Sequence, residues 1–317
     1  MKFNIKKRII SNFVNRINFA YIKKIFFFLS LLYFSYYFLI NLKEISYKLD
    51  FNGYQIYFIL SFLLCLLSIF LNALAWENII IWFGYSKKIK KVKSFFLLTN
   101  SLKYVPGGIW HFIERFNYIN KFTNFKFALS VTLIEPYFML ASSFLIASIG
   151  VFLNPFYIVF IIPSIFLERN LITHILLKLE SLKINTIKLL KISNKETFYE
   201  SDLQLRISFP LKPLIIEVLF ILIKFLAFYS CFYIFNFSHM PDVIFLLVIF
   251  CLSWSIGLIV PSPGGFLVFE YFFLLFIGNG FSKDIVLISL VYFRVISTSA
   301  DLILSAPFLI KMIRRKN

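Results

Sequence analysis

Apolar residues in this chain come in long unbroken runs, not at the i, i+3, i+4 spacing of a surface helix or the alternation of a half-buried strand. The main runs are 25–42, 53–75, 127–152, 213–237, 242–260 and 285–310. A crossing helix needs about 20 such residues, because the hydrocarbon core is about 30 Å thick and each residue rises about 1.5 Å. Two shorter runs join them: 155–167 is interrupted by Pro163, and 264–276 follows PSPGG and carries Glu270. The pattern predicts an all-α polytopic integral membrane protein of about eight transmembrane or re-entrant helices.

Composition agrees. The set AVILMFWYC fills 60% of the 317 positions; with Gly counted in place of Tyr the share is about 58%, well above the roughly 45–50% of soluble domains. Charged residues make up 15%, against about 25% ordinarily. This excludes a disordered tail, a disulfide scaffold and a collagen-like rod, and it argues against one or two soluble domains of this length. The 44 Phe accompany abundant Ile, Lys and Asn, the bias of AT-rich coding sequence, so Phe in place of Leu need not carry function.

Lys and Arg outnumber Asp and Glu by 33 to 15, a formal charge of +18, and they gather at the borders of the runs. Residues 1–24 carry Lys2, Lys6, Lys7, Arg8, Arg16, Lys23 and Lys24; the second run is followed by GYSKKIKKVK; 168–212 is a basic amphipathic stretch; the tail 313–317 is basic. Basic residues near span ends resist translocation, so these segments are expected in the cytoplasm with both termini. Residues 25–312 then form a single transmembrane domain in a bacterial plasma membrane. The count is eight crossings if 155–167 and 264–276 both cross and six if both dip and return; eight is expected. The N-terminal run is too long for a signal core, and no small-x-small site follows it. Border placement also explains the positive charge without nucleic acid, by topology and contact with anionic lipid.

Cys65, Cys231 and Cys251 sit within apolar runs, and His111, His174 and His239 are scattered, so core packing and no metal or cofactor are expected.

The stretch 94–121 contains FFLLTNSLKYVPGGIWHFIERFNYINK, apolar enough to enter a membrane yet broken by Pro106, Gly107 and Gly108. Two half-helices joined at a turn fit it. Broken backbone at membrane depth is tolerated only inside protein or beside a wet cavity, and the second half-helix would aim its free N–H groups there, suiting a phosphate or carboxylate. About 157 residues later, within 261–277, VPSPGGFLVFEYFF repeats the theme with Pro263, Gly264 and Gly265. A carboxylate follows each break, Glu114 and Glu270, offset by one residue. Paired interruptions in two halves of a chain point to a central binding site between repeats; the plainer alternative is two loops at span ends.

KYVPGGIWHFIER, PSPGGFLVFE and VYFRVISTSAD together resemble the flippase-like membrane region of lysylphosphatidylglycerol synthases, a family that includes stand-alone membrane proteins. The resemblance runs from about residue 51 to the C-terminus and matches Pro106, Gly107, Gly108, Arg115, Pro263, Gly264, Gly265, Glu270, Arg294 and Asp301. Where the family commonly has a further glycine, this chain has Phe266 and Leu267. The resemblance implies lipid handling or translocation; aminoacylation is not implied, since the soluble synthase domain has no counterpart here.

Charge near the bilayer centre is costly, so each ionisable residue there is a candidate site. Glu217 and Lys224 lie seven apart on one run, as do Arg294 and Asp301 on another, which places each pair on one inward helix face. Glu135 precedes Pro136 within a third run. Mutual neutralisation and ligand binding are both open to these pairs. Arg115 is the first choice for a ligand, with a planar fork beside the half-helix terminus; Arg294 and Lys224 follow. Glu270 and Glu135 balance them or take up protons. The expected function is a flippase or transporter for a lipid or lipid-linked saccharide with an anionic headgroup, with glycosyltransferases or lipid-modifying enzymes as possible partners. The alternatives are a membrane-embedded transferase, for which no catalytic motif is found, and a non-transporting scaffold.

Overall fold

The computed structural model describes residues 55–84, 89, 91–105, 108–123, 125–165, 167, 209–233, 242–260, 262–278, 281 and 283–314. The basic segment 1–24, the run 25–42, residues 168–208 of the basic loop, residues 315–317 of the tail and the residues Pro106 and Gly107 lie outside them. Every regular element among the described residues is helical. Helix α1 is Gln55–Trp82, α2 Val92–Thr99, α3 Trp110–Asn120 and α4 Phe125–Ala147. A single turn α5, Ile162–Ile165, precedes α6, Leu211–Tyr233, α7, Val243–Ile259, α8, Val268–Ile277, and α9, Lys283–Arg314.

Helix α1 shows why these segments belong in a bilayer. One stripe, Ile56, Leu63, Leu67 and Phe70, is open to the surroundings, Ile56 at 68%. The opposite stripe, Ser61, Cys65, Ser68, Asn72 and Trp76, is buried. Polar groups face inward and large apolar ones outward, the reverse of a soluble helix, and a surface so built is stable only against lipid. The segments Ile56–Trp82, Phe127–Phe152, Leu211–Tyr233 and Lys283–Pro307 are long and apolar enough to cross a membrane, and the chain is an integral membrane protein of polytopic helical type.

Eight full-length crossings are not what the described residues contain. The 17 residues of α7 rise about 26 Å at about 1.5 Å each. The run 155–167 is a 3-10 turn, Pro155–Ile161, followed by α5 with Pro163 inside it. The run 264–276 becomes α8, of 10 residues, half the length a crossing needs.

Helix α6 packs against α1, α4 and α9, and α7 against α4 and α8. Their contacts are sealed by two means. Ser61 Oγ donates to the Ala227 carbonyl at 2.6 Å and Ser143 Oγ to that of Cys251 at 2.8 Å, small polar groups that let helices approach closely. Phenylalanines fill the rest: the Phe228 ring lies 4.9 Å from Phe273, 5.3 Å from Phe293 and 5.4 Å from Phe250. The Phe surplus therefore does packing work where α6 to α9 converge. Cys65, Cys231 and Cys251 are free thiols buried among these contacts.

Candidate functional site

In the described residues each broken element is a helix, a break and a second helix. Helix α2 tightens into a 3-10 turn over Asn100–Tyr104 and Val105 is extended; Gly108 sits at φ +65°, and α3 begins two residues later with no side-chain cap. In the second element α7 ends at Ile259, Pro263–Gly265 turns with Gly264 at φ +62°, and α8 starts after Leu267, again without a side-chain cap. Leu267 is buried at φ +69°, a conformation that favours glycine.

The two turns meet. A methyl group on Gly264 would lie 2.5 Å from the Tyr104 ring, and one on Gly108 would lie 3.5 Å from the Ser262 carbonyl oxygen. Between and beside them is a cavity of about 310 Å³ whose wall includes Gly108, Gly264 and Gly265. Arg115, Glu135, Lys224 and Arg294 line it, as does Lys103. Residues scattered over 192 positions of sequence, from Lys103 to Arg294, thus reach one space.

Their pairing is specific. Arg115 is fully buried; its Nη1 donates to both Glu135 oxygens at 2.8 and 2.9 Å and its Nη2 to Asn100 Oδ1 at 3.4 Å. The guanidinium lies 3.5 Å from the Phe96 ring centre, a cation–π contact. Only Nε lacks a partner. Arg294 bonds Glu270 through Nε and the carbonyls of Gly264 and Gly265 through Nη1 and Nη2, at 3.1 and 3.0 Å. Its fork holds the second turn shut against α8 and α9, so most of its donors are taken.

Asp301, fully buried, accepts from Asn100 Nδ2 at 2.6 Å and Tyr104 OH at 2.5 Å and pairs with Lys103 at 2.8 Å. It ties α9 to the first turn and does not pair with Arg294. Glu217 is fully buried with both oxygens unpartnered, so it does not bond Lys224. The inward direction of both seven-residue pairs holds, but each member finds its own surroundings. Glu114 is half-buried and off the cavity wall.

Lys224 differs from the other cations. Its Nζ donates to Ser297 Oγ at 2.8 Å, lies 4.0 Å from Cys65 Sγ and sits over the Phe293 ring at 5.6 Å. Among the described residues it is the lining cation with no carboxylate in ion-pair range. Nearby on the wall, Trp254 Nε1, His111 Nδ1 and Ser262 Oγ are buried without partners. Buried polar groups are ordinarily paired, so this concentration on one cavity marks a place for a polar guest. Among the described residues no cluster of His, Cys, Asp or Glu is arranged to hold a metal ion.

Asn100, Lys103 and Tyr104 escaped the sequence reading, although TNSLKY is a polar run within an apolar element and lies directly before PGG. The chain matches no protein-family model and no curated protein.

Proposed function

We propose that this protein moves a lipid or lipid-linked saccharide across the membrane, with an anionic headgroup entering the cavity between the two broken elements. The observation that carries the reading is Lys224: a buried cation on the cavity wall, without a carboxylate, among unpartnered polar groups. An isolated buried cation is costly, and an incoming phosphate or carboxylate relieves that cost with charge-assisted hydrogen bonds. The uncapped starts of α3 and α8 lie at the same wall, where free N–H groups favour an anion. The cavity suits a headgroup; acyl chains stay in the surrounding lipid.

Lys224 here takes the place that sequence alone assigned to Arg115, whose fork is occupied by Glu135. The reading also rests on the resemblance to stand-alone flippase-like regions of lysylphosphatidylglycerol synthases. It includes an even number of crossings with both termini cytoplasmic, in a bacterial plasma membrane.

The test is reconstitution into vesicles containing a headgroup-labelled anionic phospholipid, with label in the inner leaflet followed by an impermeant quencher. Wild-type protein is expected to expose the label. Lys224→Met, which keeps the volume and removes the charge, is expected to slow exposure at least tenfold while leaving the melting temperature unchanged or higher. No translocation by wild type, across anionic phospholipid and anionic glycolipid probes, overturns the reading.

A further inference from the structure

Among the described residues, the cations lining the cavity are Lys103, Arg115, Lys224 and Arg294. Three of them are matched one to one. Lys103 pairs with Asp301 at 2.8 Å, Arg115 with Glu135 at 2.8 Å, and Arg294 with Glu270. The Nζ of Lys224 has the Ser297 hydroxyl at 2.8 Å and no carboxylate in ion-pair range. Glu217, the other buried charged residue of α6, is off the cavity wall, and neither of its oxygens meets a donor. With histidine counted as neutral, the contact pairs leave this wall one positive charge over.

The same wall offers neutral hydrogen-bonding atoms of both kinds. Trp254 Nε1 can only donate, Asn72 Oδ1 accepts, and Ser262 Oγ does either. All three atoms are buried, belong to lining residues and lack a partner, and Asn72 as a whole is 7% exposed. They come from α1, α7 and the second turn, so the unmet groups surround the space and are not one local defect. Phe220, one turn before Lys224 on α6, meets the Trp254 ring at 6.1 Å, and Phe269 meets it at 6.3 Å. The indole donor is thereby fixed against the stretch of α6 that carries the lysine.

We propose that the cavity selects a headgroup with one negative charge and a neutral, hydroxyl-bearing remainder: a phosphodiester joining the lipid to a glycerol or to a single sugar residue. The phosphodiester meets Lys224; the hydroxyls donate to Asn72 and accept from Trp254, and Ser262 takes either role. A hydroxyl suits such a wall because it is donor and acceptor at once. A diphosphate brings a second negative charge for which no unpaired lining cation is left, so it would have to break a buried ion pair, a costly step. A zwitterion brings an ammonium group to a wall whose carboxylate, Glu135, is already held by Arg115, and like charges then face each other. The cavity of about 310 Å³ lies at the small end of ligand pockets, about 300–1,000 Å³, which favours one such group over a long oligosaccharide. The selection rests on the reading of this cavity as a headgroup site; it does not require that the headgroup be carried across.

The test is binding of short-chain lipids to the purified protein in detergent, read by native mass spectrometry. Phosphatidylglycerol and phosphatidylmethanol carry the same single charge, and only the first has free hydroxyls. Wild type is expected to bind phosphatidylglycerol at least tenfold more tightly. A polyprenyl-phosphate sugar is expected to bind more tightly than the diphosphate sugar of the same chain length, and phosphatidylcholine to bind most weakly; the glycerol and sugar arms show which source of hydroxyls the site takes. Trp254→Phe, which keeps a ring and removes the N–H, and Asn72→Leu are each expected to narrow the gap between phosphatidylglycerol and phosphatidylmethanol several-fold, with phosphatidylmethanol binding little changed. Lys224→Met is expected to weaken both lipids alike. Equal binding of the two by wild type overturns the hydroxyl selection, and a diphosphate sugar that binds as tightly as the monophosphate overturns the single charge; both are read on wild type, so neither depends on a variant folding. Binding of no anionic lipid overturns the headgroup site itself, whereas selective binding without movement in vesicles overturns the transport reading and leaves the selection standing.

Discussion

Single residues at the two turns carry constraints of different kinds. Gly264 is excluded from accepting a side chain twice over, by φ +62° and by the Tyr104 ring 2.5 Å from where a methyl group would stand. Gly265 has φ +71°, but its nearest neighbour, the Gly257 carbonyl oxygen, would be 3.6 Å from that methyl. Left-handed backbone alone costs about 1–3 kcal/mol for a residue with a side chain, and displacing a ring adds to it. Gly264→Ala is thus expected to lower the melting temperature in detergent more than Gly265→Ala, and equal effects would show that Tyr104 yields freely. Leu267 adopts a positive φ despite its side chain. Its burial at 1% exposure explains the tolerance, since fully burying a leucine contributes roughly 1.5–3 kcal/mol.

Elements are held in register by buried ion pairs, and their value lies in the pairing. Arg115 and Glu135 join α3 to α4 with almost no exposure. Removing one partner of such a pair leaves a bare charge and costs about 3–5 kcal/mol, whereas replacing both by apolar groups of similar volume is often neutral. Arg115→Met alone is expected to destabilise the protein strongly, and Arg115→Met with Glu135→Leu to recover most of the loss; the comparison is made by thermal unfolding of purified protein. Failure of the double variant to recover would show that Asn100 and Phe96, the other partners of the guanidinium, carry the coupling. Arg294 plays a parallel part in the second element, where its fork reaches Glu270 and two glycine carbonyls. The PGG pairs and the carboxylate after the second were legible in the chain. That Arg294 closes the second PGG turn was not, because 29 positions separate it from Gly265 and no periodicity links a span to a turn in another element.

For the molecule as a whole, the inverted arrangement of α1 makes a direct prediction. Nitroxide labels at Leu63 and Leu67 in vesicles are expected to relax with oxygen, which dissolves in lipid, and hardly at all with a water-soluble paramagnetic complex; the reverse result would place that face against water. The membrane class followed from sequence because it depends on local composition: a run of apolar residues long enough to cross has the same meaning whatever surrounds it. The two breaks were equally legible, since Pro and Gly act on the backbone where they stand. Which charges neutralise one another was decided only by the tertiary structure. Ion pairs form between side chains that helix packing brings within about 4 Å, so residues of one helix face, Glu217 with Lys224 and Arg294 with Asp301, ended with partners on other helices or with none. Sequence determined that a small set of charges is buried; the packing of α3, α4, α6 and α9 decided that, among the described residues, Lys224 and Glu217 are buried without an ion-pair partner.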